Sequence, residues 1–411
     1  MAKILIIIPY FSPDVSAVIP LAKDLIHYLL LKRHRVKVIT ANSRMIKGRK
    51  SSLESFISCR NLHLFELDRF YNPFAKKPGI IYKFLEYCYF MIKIIIKVII
   101  TSRYDLIYIY SNPPFLSIPL KPIAYFKRSK IVYDLEDLFP NSLISLLGKK
   151  DGVIIRAFIK PLCLLEKINY NLSDVVVTIC ESYRKHVKQV IKEDKIILIE
   201  NWVNESHFRP VRKEDNIFLK NLNVDLKKFI VTYVGTLGYL QDMDLLVEIA
   251  NMLKHQKEIM FIIVGDGARK MDMMLKIRRY KIDNCLMLGF QPEHLVPQIY
   301  AAGDLGIIPM RLQADPMPSK TWNYLACGVP IMTVTDMNDE LYMLVKKYGF
   351  GIAIDRKNVN SIPLEIVNLS KNKDLMEKMG SLGREFILNN HSLSVMSKKY
   401  DLLLEKLSLG N

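Results

Sequence analysis

A chain of 411 residues is too long for one ordinary core and suits two domains of about 200 residues each. With half its residues hydrophobic and 24% charged, it is globular rather than disordered or fibrous. The six cysteines are scattered, with no Cys-x-x-Cys pair and no histidine-rich partner segment, so neither a disulfide framework nor a zinc site is implied. The net charge of +18 is uneven: residues 1–200 hold 32 Lys and Arg against 17 Asp and Glu, residues 201–411 hold 27 against 24. The first half is therefore expected to face an anionic partner: a membrane surface, a lipid phosphate or nucleic acid. Solubility alone is the plainer reading of the same charge.

Short apolar runs alternate with helix-like segments along the whole chain. Ile4–Ile8, Val36–Thr40, Leu106–Tyr110, Ile131–Asp134 and Val175–Ile179 read as strands in the first half. Ile230–Val234, Met260–Val264, Leu286–Leu288 and Leu305–Pro309 read so in the second. Strands apolar on both faces and separated by helices imply parallel sheets covered on both sides. Two such sets make an α/β protein of two doubly wound domains, with ligands beyond the carboxyl ends of the strands in a cleft between them. The boundary is placed near Glu200–Asn204, giving domains at 1–200 and 201–390 and a helix over 391–411. The first run, only five residues before Pro9, is too short for a signal-peptide core, and a cytoplasmic location is expected.

The longest apolar stretch, Phe84–Ile100, carries Glu86, Lys93 and Lys97, which argues against a membrane span. Lys93 and Lys97 fall on one helical face beside isoleucines, with Tyr82, Tyr87, Tyr89 and Phe90 nearby. This pattern suits a helix lying in a membrane interface, and equally an ordinary buried helix.

Five segments carry candidate chemistry. Pro9–Ala17 follows the first strand and precedes a helix, a place for backbone amides to meet a phosphate, but it lacks the glycines of a dinucleotide fingerprint. Val234-Gly235-Thr236-Leu237-Gly238 and Val264-Gly265-Asp266-Gly267 are glycine turns at successive strand ends, where a backbone can approach a ligand; each alone is equally structural punctuation. Pro318-Ser319-Lys320-Thr321-Trp322-Asn323-Tyr324 has helix-start signals, and glycine follows at Gly328. Its first-turn amides and the Lys320 charge suit an anion, and Asn323 projects from nearly the same face toward a ribose hydroxyl; a capped helix with a solvated lysine is the alternative. Asp134, Glu136 and Asp137 crowd one strand end, where they could shift or share protons, cap the next helix or pair with lysines. The eight histidines form no metal-binding pattern.

Taken in order, these segments resemble the retaining family-4 glycosyltransferases. Tyr233-Val234-Gly235 with Leu245-Leu246, Phe261–Gly267, Leu288-Gly289-Phe290 through Leu295, Ile299–Ala302 with Asp304, and Ser319-Lys320 to Gly328-Val329-Pro330 match that family's second-domain blocks. Ser111-Asn112-Pro113-Pro114, Asp137–Ser142 and Asn201–Asn204 are similar to a bacterial subgroup that builds surface polysaccharides and includes acetamido-deoxyhexose transferases.

The resemblance implies a GT-B fold, two Rossmann-like domains facing across a cleft, with a last helix that crosses back to the first. It implies transfer of a sugar, such as an N-acetylated hexosamine or deoxyhexosamine, from a nucleotide diphosphate, expected to be UDP, with retention. No metal and no cofactor besides the nucleotide sugar are implied. The acceptor is a polyprenyl-diphosphate-linked saccharide of O-antigen or capsule synthesis, with the first domain peripheral on an anionic inner membrane and no nucleic-acid partner. Donor binding falls on Ser16, Gly235, Thr236, Leu237, Gly238, Asp266, Gly267, Phe290, Asp315, Ser319, Lys320 and Asn323, and catalysis on Glu136, Asp137 and Lys320. The sequence departs from the family at three places: its paired glutamates fall on Asp315 and Asn323, its first-loop glycines on Ser16-Ala17, and the basic residue after its first nucleotide loop is missing. A nucleotide-sugar 2-epimerase or hydrolase of the same fold, or a non-catalytic nucleotide-sugar or lipid-binding protein, would share much of this pattern.

Overall fold

The computed structural model describes the chain apart from residues 13, 15, 17, 43–58, 76, 78, 141–152, 312–316 and 409–411. It divides into two units, Met1–Asn201 with Ser397–Asn411, and Trp202–Met396.

The first unit is built on a seven-stranded sheet of β1 (Lys3–Ile7), β2 (Arg35–Asn42), β3 (Phe65–Tyr71), β4 (Leu106–Tyr110), β5 (Lys130–Leu135), β6 (Val175–Thr178) and β7 (Ile196–Leu198). Their order is β3-β2-β1-β4-β5-β6-β7, every pair parallel. The central strands are buried on both faces because helices cover both, which is why they read as unbroken apolar runs. The edge strand β3, Phe-Glu-Leu-Asp-Arg-Phe-Tyr, is half-buried and mostly alternates apolar with charged residues, a pattern of one covered face. The strand order reverses between β1 and β4, so the loops after these two strands part there and leave a crevice at their carboxyl ends.

Helix Ile80–Ile100 packs on this sheet through Phe90, Ile94 and Val98, spaced four apart and fully buried with Glu86 on the same stripe. Its other side leaves Ile81, Phe84, Ile92, Ile96, Ile99 and Ile100 exposed. Lys93 and Lys97, four residues apart on one helical face, take different partners. Lys97 forms an ion pair with Asp68 at 2.6 Å, while Lys93 lies over the Tyr89 ring.

The last helix, Leu393–Ser408, contributes Tyr400 and Leu403 to the buried interior. In the first unit the Tyr400 hydroxyl lies 3.0 Å from that of Tyr108, and Asp401 accepts a hydrogen bond from Tyr28 at 2.7 Å.

The second unit holds β8 (Phe229–Val234), β9 (Ile259–Val264), β10 (Cys285–Leu288), β11 (Leu305–Pro309), β12 (Ile331–Thr335) and β13 (Gly351–Asp355). Again all pairs are parallel, in the order β10-β9-β8-β11-β12-β13. The reversal falls between β8 and β11, placing the Gly235–Gly238 loop and the segment leading to Lys320 on either side of it. Both units are thus Rossmann-like doubly wound domains.

Candidate donor and acceptor sites

In the second unit the carboxyl ends of β8, β9 and β11 converge on one amine. Lys320 opens the two-turn helix Lys320–Ala326 and is buried, unlike most lysines. Its Nζ donates a 2.9 Å hydrogen bond to the Tyr233 hydroxyl and lies 4.3 Å from the centre of that ring. The Tyr233 hydroxyl in turn donates to the Thr236 carbonyl at 2.7 Å, so one phenol bridges the lysine to the loop after β8. Burial holds the Lys320 amine down to about 7. Burial also keeps the Tyr233 phenol well above its ordinary value, so it stays protonated.

The glycines here are required by contact. Gly235 has φ 140°, and a Cβ on it would stand 3.3 Å from Lys320 Nζ, against the amine. A Cβ on Gly265 would be driven into the Gly235 carbonyl, and one on Gly267, with φ 154°, into the backbone of Leu237. That closeness lets the two loops hydrogen-bond backbone to backbone: Gly235 to Val264 at 3.0 Å, Leu237 to the Asp266 carbonyl at 2.9 Å. The Leu237 side chain is the buried plug beneath them.

The remaining expected donor residues are distributed around this centre. Asp266 is exposed; its carboxylate accepts from the Gly267 amide at 2.9 Å and pairs with Lys270 at 2.9 Å, which holds it below the usual carboxylate range. Lys270 stands so near Gly289 that a Cβ there would meet its Nζ at 3.2 Å, beside half-exposed Phe290. Lys270 is a cation at the strand ends that sequence reading did not single out. Thr236 is exposed, Gly238 half-buried, and Ser319 is exposed at the helix start with no side-chain cap bond. Asn323 hydrogen-bonds the buried Tyr300 hydroxyl, so its amide is directed into a cluster with Tyr233 and Tyr324 as neighbours, whereas the sequence suggested a ribose contact. Asp315 lies outside the described residues.

Ser16, Glu136 and Asp137 belong to the first unit. Ser16 is exposed just before helix Val18–Leu31, its carbonyl accepting from Ile19 at 3.3 Å. At the end of β5, Asp134 is buried and accepts from the Tyr108 hydroxyl at 2.7 Å, while its Oδ1 has no hydrogen-bond partner among the described residues. The Glu136 amide donates to Ser111 Oγ at 2.9 Å. Burial pushes Asp134 up to about 7; desolvation, then the charges of Asp134 and Asp137, pushes Glu136 well above the carboxylate range, and desolvation raises Asp137. Three carboxyls this close cannot all ionise at neutral pH, so the strand end stores a proton. Asn112, after β4, hydrogen-bonds Tyr87 and leaves its Oδ1 buried and, among the described residues, unpartnered. Asp134 and Asn112 therefore each hold an unused buried acceptor at adjacent strand ends, a setting for hydroxyl groups of a saccharide. Among the described residues no three His, Cys, Asp or Glu side chains gather as metal ligands.

Comparison with known proteins places this geometry. Residues 214–386 match the family described as glycosyl transferases group 1. The chain is 22% identical over 396 residues to the putative colanic acid biosynthesis glycosyl transferase WcaI of Escherichia coli K12, covering 93% of this chain and 95% of that one. It is 23% identical over 311 residues to the probable glycosyltransferase WbjE of Pseudomonas aeruginosa, covering 72% and 74%. Among solved structures, Anabaena Alr3699/HepE in complex with UDP and glucose superposes with a TM-score of 0.70 at 16% identity, over 99% and 100% of the two chains. Sucrose-phosphate synthase from Thermosynechococcus elongatus does so at 0.77 and 16%, over the whole of both.

The carboxyl cluster makes a pH prediction. Asp134 is raised in the folded protein, from an ordinary 3.8 to about 7, so between these values the folded state binds more protons than the unfolded. Stability from this group is therefore lost as pH rises through that window. Urea unfolding of Asp134→Asn, which keeps an acceptor for Tyr108, is expected to show a smaller loss between pH 5 and 7.5 than the wild type; parallel profiles would contradict the assignment.

Proposed function

The chain carries a group 1 glycosyl transferase region over residues 214–386 within a GT-B-type pair of Rossmann-like units, and from that premise we propose that it transfers a sugar from a nucleotide diphosphate to a lipid-linked saccharide in bacterial surface-polysaccharide synthesis. The observation that carries this reading is the buried Lys320 amine, which meets the glycine loops after β8 and β9 at the reversal of the second sheet. A nucleotide-sugar transfer releases a diphosphate, so its main demand is stabilising negative charge that grows on the leaving oxygens. Lys320 supplies a cation there, and the Gly235 and Gly267 backbones allow close approach. The helix Lys320–Ala326 is only two turns long, so the ammonium outweighs the helix dipole in this role.

A UDP-linked donor is supported by the HepE complex, whose partners are UDP and glucose. Surface-polysaccharide synthesis is supported by WcaI and by the amylovoran biosynthesis glycosyltransferase AmsD of Erwinia amylovora, 22% identical over 168 residues. The resemblance further supports retention at the anomeric carbon, an acetamido sugar, and no cofactor beyond the donor. Glu136 and Asp137 are assigned to orienting the sugar or the acceptor and Ser16 to the donor, with Asp134 and Asn112 as additional acceptors of hydrogen bonds.

No helix among the described residues is long and apolar enough to cross a membrane. A peripheral attachment of the first unit to an anionic bilayer is supported by the outward side of helix Ile80–Ile100 and by exposed Tyr125 and Phe126 at the end of helix Ser117–Lys127. Lys127 ties the two helices by donating to the Ile99 carbonyl at 2.8 Å, which makes the apolar residues one continuous surface edged by Lys127 and Arg128.

Transfer is tested by offering a panel of nucleotide sugars with polyprenyl-diphosphate-linked saccharides and reading products by mass spectrometry. A glycosylated acceptor is expected with one donor, and Lys320→Ala should weaken UDP binding by about 10- to 100-fold in calorimetry. Binding without transfer from any donor would favour a non-catalytic protein, and unchanged UDP affinity in Lys320→Ala would remove the lysine from the donor site. Membrane attachment is tested by flotation: binding should require phosphatidylglycerol, weaken with salt, and fall in the double variant Ile96→Ser and Ile99→Ser. Flotation indifferent to lipid charge, salt and both isoleucines would contradict it.

A further inference from the structure

A lysine that meets a diphosphate is ordinarily pictured as a standing positive charge. The surroundings of Lys320 do not support one. Among the described residues its Nζ has a single hydrogen-bond partner, the neutral hydroxyl of Tyr233, whose own proton is already committed to the Thr236 carbonyl. The group that faces it is Tyr233 from β8, which neighbours Tyr324 of the Lys320 helix and Tyr300 of helix Val296–Tyr300, all three held protonated by burial. Tyr324 spends its hydroxyl on the Thr232 carbonyl at 2.9 Å, and Tyr300 spends its own on Asn323. Among the described residues no carboxylate reaches Lys320, and burial is the only influence acting on its charge. An ammonium so placed would be stripped of water, with the Tyr233 hydroxyl and ring face as partial compensation and no counter-charge among the described residues. A neutral amine, by contrast, can donate one N–H to Tyr233 and keep its lone pair directed elsewhere. The open direction is the one that side-chain-free Gly235 leaves clear.

We propose that Lys320 rests as an uncharged amine on the Tyr233 hydroxyl and takes up one proton from solvent as a diphosphate binds beside Gly235, so that donor binding and protonation of this lysine are one event. The proton adds to the nitrogen lone pair; no other bond forms or breaks, and the new N–H is the one that meets the phosphate oxygen. Tyr233 is on this view a positioning residue: it fixes the amine at the reversal of the sheet without supplying a counter-charge. The consequence is a donor site that carries its full positive charge only in company with the anion that needs it. Above pH 7 affinity for a diphosphate then falls by up to about tenfold per pH unit, because the proton must be captured from a scarcer supply. The inference rests on the donor-site reading of Lys320 given above.

The test is calorimetric titration of the full chain with UDP at pH 8, where its terminal phosphate, which titrates near pH ~6, is already ionised. Running it in phosphate and in Tris, whose ionisation enthalpies differ widely, gives the protons exchanged per UDP bound. The wild type is expected to take up nearly one proton, Lys320→Met to bind more weakly with none, and Tyr233→Phe to retain uptake. Lys320→Arg, whose guanidinium is always charged, should show no uptake with whatever affinity it keeps. UDP binding with the same enthalpy in both buffers would overturn the proton coupling while leaving the donor site in place. Uptake that persists in Lys320→Met would overturn it as well, by assigning the proton to another group. Absence of UDP binding by the wild type would overturn the donor-site reading itself.

Discussion

The hydrogen bond between Lys320 and Tyr233 ties together the two sides of the second unit's sheet reversal. Tyr233 is on β8, Lys320 follows β11, and these strands diverge at their carboxyl ends because the strand order turns back there. A crevice at such a point is a property of the topology; what fills it is chemistry. Here the filling is a phenol that serves both the loop after β8 and the amine after β11. The glycines at 235, 265 and 267 follow from the same constraint, since each removes a side chain that would cover the amine or part the loops. Gly306 belongs to this set from below: a Cβ on it would press on the ring of Tyr324, a residue of the helix that presents Lys320, at 2.7 Å.

The first unit solves a different problem with the same topology. Its strand ends hold carboxyls instead of an amine, and Asp134 is joined through Tyr108 to Tyr400 of the last helix. The C-terminal segment is therefore held to this unit by a buried polar chain as well as by apolar contact. A chain of this kind is costly if broken, because each hydroxyl would lose a partner inside the protein.

Much of the architecture was legible in sequence because parallel strands covered by helices are rich in apolar residues, and nine apolar runs fall on β1, β2, β4, β5, β6, β8, β9, β10 and β11. The strands passed over have physical reasons. β3 is an edge strand with charges along it, and β7 has only the three residues Ile196–Leu198. β12 and β13 have five residues each, and Thr333, Thr335, Gly351 and Asp355 interrupt their apolar runs. Lys320 could be named from its place before a helix, but its burial and its tyrosine partner could not, because Tyr233 lies 87 positions away and reads as an ordinary core residue. Helical spacing places Asn323 on the same short helix as Lys320, but its hydrogen bond to Tyr300 depends on a residue of another helix and is not legible from spacing. Lys270 escaped notice because a lysine in a charged helix looks solvated until its neighbour Gly289 is known.

The central claim is that a nucleotide diphosphate is received by Lys320 at the carboxyl ends of β8, β9 and β11. A crystal structure of the chain with UDP bound tests it most directly. The account predicts a phosphate oxygen within hydrogen-bonding distance of Lys320 Nζ on the side left open by Gly235, with Tyr233 still bonded to Thr236. A diphosphate seated away from Lys320, with that amine still engaged only by Tyr233, would contradict it.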